Sequence, residues 1–193
     1  MTSEREVMEH AAWHETMSLA KEWLNECFNE HPECRWPPSD EDPYLPTRVI
    51  EVLGPLQPNV RLIHPGKGRG KWAALSHKWG LQSLTRLERG NINLFSKGIQ
   101  TSSLPATFRD AIIVARRLGI RYLWIDSLCI VQDSQADWDI EFMKMPEIYQ
   151  YANVTIAAAA TKDSHGGILV ERAWKATSKH ASCLSYTKDF EGI

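Results

Sequence analysis

The chain has 193 residues, of which 43% are hydrophobic and 24% charged, as is typical of one ordinary globular domain. No apolar run approaches the roughly 20 residues that a membrane span needs, and the N-terminus, MTSEREVMEH, is acidic where a signal peptide is basic and then apolar. Four cysteines are too few for a disulfide framework at this length and fit a reducing compartment. We therefore expect a cytoplasmic protein without a membrane span.

The charges are unevenly distributed along the chain. Residues 1–45 carry 3 Lys/Arg against 11 Asp/Glu, residues 46–125 carry 13 against 3, and residues 126–193 carry 6 against 10. The basic middle segment could attract the phosphates of a nucleotide, a nucleic acid or a lipid headgroup. The simpler interpretation is that it neutralises the acidic flanks in the folded chain, and nucleic acid is not expected as a partner.

The first 44 residues predict a helical arm and a linker. Strong helix formers from Glu4 to about Asn29 follow helical spacing. Four prolines between Pro37 and Pro46, together with an acidic cluster, then break the pattern and predict a linker. Beyond the linker, the alternating segments TRVIEVL and NVRLI predict a short β-hairpin.

Three short apolar runs predict the core strands. They are WAALS at residues 72–76, IRYLWID at residues 120–126 and NVTIAAAA at residues 153–160. A strand, a helix and another strand in succession favour parallel pairing. We therefore predict an α/β fold with an open, mainly parallel sheet and flanking helices, to which the N-terminal arm and the hairpin are added.

Two helices are predicted between these strands. The segment LPATFRDAIIVARRLG is the clearer one, with Pro105 in its first turn and Gly119 at its end. The second runs from about Gln135 to Tyr151, and Pro146 is predicted to kink or restart it because proline cannot donate a backbone hydrogen bond.

Polar residues follow the first two core strands at the point where each strand ends. The carboxyl ends of parallel strands meet at one edge of an open α/β sheet, where ligands bind. We therefore predict substrate contacts from both segments: Ser76, Trp79, Asp126, Cys129, Gln132 and Asp133.

An aromatic ring and a carboxylate follow on the second helix. Trp138 and Glu141 are one helical turn apart and share a face, so they could stack a flat ring and hold a negative charge near a developing cation. The simpler alternative is ordinary amphipathicity, with Trp138 in the core and Glu141 exposed at its margin.

Two patterns suggest ligand sites but are incomplete. GKGRGKW differs from a Walker A phosphate loop at Pro65 and Trp72, where the motif needs glycine and Ser/Thr. The C-x3-H-x2-C spacing of residues 27–34 offers three zinc ligands without a convincing fourth. We predict neither a nucleotide P-loop nor a metal site.

A nucleophilic pair is a further alternative. Cys129 and His77 both follow predicted parallel strands, so they could meet at one sheet edge, and Ser76 with His77 is a variant of the same idea. A free cysteine is more often a small buried apolar residue.

The sequence also resembles the heterokaryon-incompatibility (HET) domain of filamentous fungi. The resemblance covers about residues 45–169 and rests on three blocks, WAALSHKWG, LPATFRDAIIVARRLGIRYLWIDSLCIVQD and DWDIEFMKMPEIYQYANVTIAAAA, followed by DSHGGIL. It implies an N-terminal arm at 1–44, a HET domain at 45–170 and an unassigned segment at 171–193. It also implies a role in nonself recognition and programmed cell death, with another incompatibility protein, a sensing module or self-association as partner.

The HET family is suspected to be remotely related to TIR domains, which are flavodoxin-like and some of which cleave NAD. Their motif has a tryptophan three residues before the catalytic glutamate, a separation shared by Trp138 and Glu141. The resemblance therefore implies NAD as a possible substrate, with no certain cofactor, and Glu141 as the catalytic carboxylate. Arg109 in the basic segment is a candidate donor to the pyrophosphate.

The chain departs from the family pattern in two blocks. His77 and Lys78 stand where family members usually have tyrosine and cysteine, so no nucleophile is transferred to this position. Arg172 and Trp174 match only part of a later Arg-x-Trp-x-x-Gln-Glu block. A non-enzymatic interaction domain and a truncated, inactive family member are therefore the alternatives to an enzyme.

Overall fold

The computed structural model of the chain describes residues 4–31, 41–52, 54, 57–80, 85–159 and 163–169. Residues 32–40, which include the first part of the predicted linker, lie outside the described residues, as does the predicted C-terminal segment at 171–193. The candidate zinc ligand Cys34 and the partial late block at Arg172 and Trp174 lie outside them too.

Six strands of the described residues form one sheet, in the spatial order β4-β2-β1-β5-β3-β6. The strands are β1 (Val49–Glu51), β2 (Asn59–Ile63), β3 (Trp72–Ser76), β4 (Ile99–Gln100), β5 (Tyr122–Trp124) and β6 (Val154–Ala157). The helices are α1 (Glu4–Glu30), α2 (Ile92–Lys97), α3 (Ala106–Leu118), α4 (Asp126–Cys129) and α5 (Gln135–Gln150). The fold is therefore α/β with an open sheet, as predicted.

The sheet is mixed rather than mainly parallel. β3 pairs in parallel with β5 and with β6, as the strand–helix–strand pattern predicts. β1 is antiparallel both to β2 and to β5, and β2 is antiparallel to β4. The predicted hairpin is thus confirmed, but it joins the main sheet through β1 instead of standing apart. The expectation of a mainly parallel, flavodoxin-like sheet is not confirmed.

The core lies around the central strands and α3. In β3, four of the five residues are buried, as expected for a strand covered on both faces. Phe108, Ala111 and Ile112 of α3 are fully buried, and the helix ends at Gly119, whose φ of 76° is the left-handed conformation that glycine adopts without strain. These contacts fix the carboxyl ends of β3 and β5, from which the site is built.

The N-terminal helix α1 packs on this core. Met17, Ala20 and Leu24 are partly buried against it, and α1 contacts α3. The Lys71 ammonium lies 4.9 Å from the centre of the Phe28 ring, a cation–π distance. Among the described helices, none combines the length and apolar character that crossing a membrane requires.

Helix α5 runs from Gln135 to Gln150 as one helix that includes Pro146, so the predicted restart there does not occur. Because proline has no backbone N–H, it gives the carbonyl of Phe142 no intrahelical hydrogen bond. The sequence predicted both ends of this helix to within one residue.

A buried carboxylate joins the antiparallel and parallel halves of the sheet. Glu51 on β1 is 2% exposed, and its Oε1 accepts hydrogen bonds from Arg121 Nη2 at 2.5 Å and Nε at 2.9 Å. Its Oε2 accepts one from Arg61 Nε at 2.5 Å. Burial raises the pKa of Glu51, but the hydrogen bonds and charges of the two arginines together outweigh burial and lower this pKa.

We expect Glu51 to contribute to the acid sensitivity of the fold. A carboxylate whose pKa is lower in the folded than in the unfolded chain stabilises the fold above the unfolded pKa, and this stability is lost as pH falls through the folded pKa. Denaturant unfolding at a series of pH values should therefore show a shallower acid decline of the free energy of unfolding for Glu51→Gln than for the wild type. Glu88→Gln, in an exposed pair with Arg86, is the control and should leave the decline unchanged; equal slopes for wild type and Glu51→Gln would contradict the expectation.

Candidate functional site

A small pocket of about 160 Å³ opens at the carboxyl ends of β3 and β5. Trp79 follows β3, Asp126 follows β5, and the remaining wall comes from α5 and the segment before it. The lining residues are Trp79, Asp126, Ile130, Gln132, Trp138, Phe142 and Met145. The pocket brings together four of the predicted site residues, and Asp126 is the carboxylate among them. The four are Trp79, Asp126, Gln132 and Trp138.

Asp126 is the carboxylate of this pocket. Its Oδ2 accepts a hydrogen bond from the indole Nε1–H of Trp79 at 2.8 Å, and its Oδ1 accepts one from the backbone N–H of Ser127 at 2.6 Å. The side chain is 18% exposed, so it combines access for a ligand with a partly water-excluded environment. A charge in such surroundings interacts more strongly with a bound cation than it would in bulk water.

His77 lies behind the Asp126 carboxylate. Its Nδ1 is 3.7 Å from Asp126 Oδ1, its side chain is 1% exposed, and its ring meets the Phe108 ring edge to face at 5.0 Å. Burial lowers the pKa of His77, and the charge of Asp126 opposes this only in part. A neutral imidazole therefore backs the carboxylate at neutral pH, and His77 does not cancel its negative charge.

Trp138 forms the aromatic wall of the pocket. It is 37% exposed, and its ring stacks on Phe142 with the ring centres 4.9 Å apart and 14° between the planes. Phe142 and Met145 follow Trp138 by four and seven residues, so the three side chains lie on one face of α5. This pair of parallel rings offers a flat, apolar surface to a planar ligand.

Glu141 occupies different surroundings from Trp138. It is 2% exposed, it does not line the pocket, and its Oε1 accepts a hydrogen bond from Lys144 Nζ at 2.9 Å. Lys144 also donates to the hydroxyl of Thr47 at 2.8 Å. The simpler reading of this helix as ordinarily amphipathic is therefore reversed, since the tryptophan is exposed and the glutamate buried.

Next to Thr47 in the chain, the buried Arg48 forms a second cluster with Asp137 and Cys129. Arg48 is 6% exposed, donates from Nε to the carbonyl of Cys129 at 2.5 Å and forms an ion pair with Asp137. Asp137 also accepts the backbone N–H of Val131 at 2.8 Å. The cluster ties the start of β1 to α4 and α5, so it holds the helix that carries Trp138.

The other predicted site residues lie at varying distances from the pocket. Gln132 lines it, and its side-chain amide donates to the carbonyls of Asp126 at 3.2 Å and Ile130 at 3.0 Å. Asp133 accepts the backbone N–H of Arg89 at 2.9 Å and does not line the pocket. Three further predicted residues also lie outside its lining: Ser76, Arg109 and Cys129.

The Cys129 thiol is fully buried, and burial raises its pKa to about 12. A thiol with this pKa is almost entirely protonated at neutral pH, whereas a cysteine nucleophile must be ionised. The structure therefore gives no support to the Cys129–His77 nucleophile considered above.

We expect Cys129 to resist alkylation in the folded protein. Iodoacetamide at about pH 8 reacts with thiolate, so mass spectrometry should find Cys129 unmodified until denaturant is added. Cys27, which is partly exposed on α1, is the internal comparison and should react first. Modification of Cys129 at the same rate as Cys27 in the native protein would contradict this expectation.

The sequence signals for the site were incomplete. Ile130, Phe142 and Met145 line the pocket but were not predicted as site residues, although their helical spacing from Trp138 could have indicated the latter two. No cluster of three or more His, Cys, Asp or Glu side chains placed to hold a metal occurs in the described part of the chain.

The central and C-terminal parts of the chain match the model of a known protein family. Residues 72–190 match the model of the family described as "Heterokaryon incompatibility protein (HET)", a span of 119 of the 193 residues. Comparisons with curated proteins and with solved structures gave no match. The matched span begins at the first residue of β3 and contains every residue that lines the pocket.

Proposed function

Because the chain belongs to the heterokaryon incompatibility family, and membership implies a role in heterokaryon incompatibility, we propose that it is an effector of fungal nonself recognition that cleaves NAD. In this proposal the nicotinamide ring binds in the pocket of Trp79, Asp126 and Trp138, and loss of NAD leads to programmed cell death. The convergence of two indoles and one carboxylate on a single small pocket is the observation that supports it most.

The chemistry of the pocket suits a planar cation. The nicotinamide ring of NAD is flat and carries a positive charge, so it can stack on the exposed face of Trp138 and be attracted both by the indole and by the Asp126 carboxylate. Apart from Asp126 and Gln132, the lining consists of apolar and aromatic side chains, which favours a ring over a strongly hydrated group.

Asp126 is the carboxylate proposed to act on the reacting sugar. When the bond between ribose C1′ and the nicotinamide nitrogen breaks, the electron pair stays with the nitrogen, so the ring becomes neutral and positive charge develops on the ribosyl centre. A fixed carboxylate beside this centre stabilises the charge, as carboxylates do in glycoside cleavage. Water then adds to C1′ and loses a proton, which completes hydrolysis.

Two other predicted residues keep their roles as proposals. Arg109 lies exposed in the first turn of α3 and is the proposed donor to the pyrophosphate. Glu141 is the alternative to Asp126 as the catalytic carboxylate, and in that case the side chain of Glu141, which is buried beside Lys144, would have to turn toward the ligand.

Nicotinamide release tests the proposal. The purified protein is incubated with NAD, and free nicotinamide is followed by chromatography for the wild type, Trp138→Ala and Trp23→Ala. Stacking on one aromatic ring is worth about 1–3 kcal/mol, so release by Trp138→Ala should fall about tenfold or more. Trp23, 62% exposed on α1, is the matched control and should not matter; no release by the wild type would reject the proposal.

A second candidate function is supported by the outward face of α5. Ile140 and Met143 are three residues apart on α5 and are 57% and 75% exposed, and exposed groups of large apolar side chains are common at protein interaction sites. A non-enzymatic domain would use this face to bind another incompatibility protein, a sensing module or a second copy of the chain. Loss of cell killing in Ile140→Gln/Met143→Gln with nicotinamide release intact would favour this function.

A further inference from the structure

The segment at residues 163–169 is anchored at one end by α3. Asp110 Oδ2 accepts the backbone N–H groups of Ile168 at 2.7 Å and Leu169 at 2.9 Å. Just before these two residues the chain approaches α3 closely, because a Cβ added to Gly167 would lie 2.8 Å from Asp110 Oδ2. Gly167 also has a φ of 76°, which a residue with a side chain adopts only with strain. One carboxylate oxygen therefore holds this end of the segment.

The other end of the segment holds the loop after β3. Ser164 is fully buried, and its hydroxyl donates to the carbonyl of Lys78 at 2.9 Å. The carbonyl of Ser164 accepts the backbone N–H of Thr107 at 3.1 Å. Gly80, with a φ of 77°, lies so near Asp163 that an added Cβ would be 2.4 Å from the Cβ of Asp163. The loop is thus fixed on both sides of residue 79.

Trp79 lies between these two fixed points. Its indole is 37% exposed and donates to Asp126 Oδ2. The backbone on either side of Trp79 contacts Ser164 and Asp163, and the carbonyl of Ser164 in turn accepts a hydrogen bond from Thr107 of α3.

We infer that residues 163–169, named here the clamp, position Trp79 against Asp126, and that Asp110 is a positioning residue that keeps the clamp on α3. None of these clamp residues lines the pocket, so the effect on the site is indirect. Release of the clamp frees the indole, and Asp126 Oδ2 then loses the donor that fixes its orientation. The position of Trp79 is inferred from the structure alone, and only the expected effect on ligand binding rests on the proposed function.

The indole N–H resonance of Trp79 reports the clamp directly. In ¹⁵N-labelled protein the resonance is assigned by its absence in Trp79→Phe, and it is compared between the wild type, Asp110→Ala and Ile113→Ala. We expect Asp110→Ala to shift or broaden the Trp79 resonance while those of the buried Trp72 and Trp124 stay in place. Ile113→Ala, at an exposed site on the same helix, should leave all three unchanged.

A milder variant covers the case in which Asp110→Ala does not fold. Ser164→Ala removes the single hydrogen bond to the Lys78 carbonyl and should also move the Trp79 resonance. An unmoved Trp79 resonance in whichever of the two variants folds would overturn the inference, because Trp79 would then hold its position without the clamp.

Binding of nicotinamide mononucleotide separates the two proposals. If the wild type binds this probe, Asp110→Ala should bind it about tenfold more weakly. The reason is that the Trp79 ring, no longer held in position, would no longer stack on the bound ring. If the wild type does not bind it and the Trp79 resonance still moves in Asp110→Ala, the proposed function fails and the clamp stands. Unchanged affinity in a variant whose Trp79 resonance has moved would overturn the consequence for the site.

Discussion

Asp126→Asn is expected to lower the rate of nicotinamide release by about 100-fold or more, because removing one electrostatic group from a transition state costs this much in other enzymes. The substitution preserves the shape of the side chain and leaves one oxygen that can still accept the hydrogen bond from Trp79. It removes the negative charge that stabilises the ribosyl centre. Initial rates of release at saturating NAD measure the effect.

Glu141→Gln is the matched comparison for this experiment. Glu141 is buried against Lys144 and does not line the pocket, so its substitution should change the rate only a few-fold, a shift of about 1 kcal/mol or less in activation free energy. A large loss in Glu141→Gln with a small loss in Asp126→Asn would reverse the assignment. Glu141, with Trp138 beside it in the sequence motif shared with TIR domains, would then be the carboxylate that acts in the reaction.

Arg48→Met is expected to lower the free energy of unfolding by about 3 kcal/mol, the largest stability effect that we predict. Removing the guanidinium takes the charged partner from Asp137 and a donor from the Cys129 carbonyl. Breaking a buried pair from one side is costly because the remaining charge stays away from water. Denaturant unfolding followed by circular dichroism gives the value.

The same substitution in an exposed pair supplies the control. Arg86 pairs with Glu88 at 2.6 Å, with 56% and 39% of the two side chains exposed, so Arg86→Met should cost less than about 1 kcal/mol. Equal losses for Arg48→Met and Arg86→Met would mean that the cluster behind α5 does not hold the fold together.

Most elements could be predicted because their signals are local. WAALS and NVTIAAAA are short apolar runs bounded by polar residues, and they form β3 and β6. Pro105 and Gly119 mark the ends of α3 through their own backbone preferences, so the helix limits followed from the sequence. The parallel pairing of β3 with β5 followed from the helix between them.

The arrangement of the sheet depended on contacts that leave no local signal. β1 pairs with β5 across about 70 residues of intervening chain, and nothing in TRVIEVL indicates which strand it will join. The two-residue strand β4 is too short for a periodic pattern. The family match begins at residue 72, whereas β1 and β2 of the same sheet lie before it; we therefore propose residue 45 as the start of the HET domain.

The surroundings of Glu141 on α5 differ most from those that the helical pattern indicated. The helix was expected to place Trp138 and Glu141 together at one ligand site, or else Trp138 in the core. Glu141 is instead buried beside Lys144, which lies one turn further along the same helix and also donates to Thr47, while Trp138 lines the pocket. Helical periodicity gives no signal for this arrangement, because Thr47, which meets Lys144, lies 97 residues away in sequence. By contrast, Trp79 and Asp126 were both expected at the carboxyl ends of parallel strands, and their side chains do meet there through a hydrogen bond.

Induced expression with NAD and viability measured in the same culture tests the central claim most directly. The wild type should deplete cellular NAD before viability falls, and Asp126→Asn, expressed at the same level, should leave both intact. Loss of viability with NAD unchanged, or equal NAD depletion by the wild type and Asp126→Asn, would contradict NAD cleavage at the pocket of Trp79, Asp126 and Trp138.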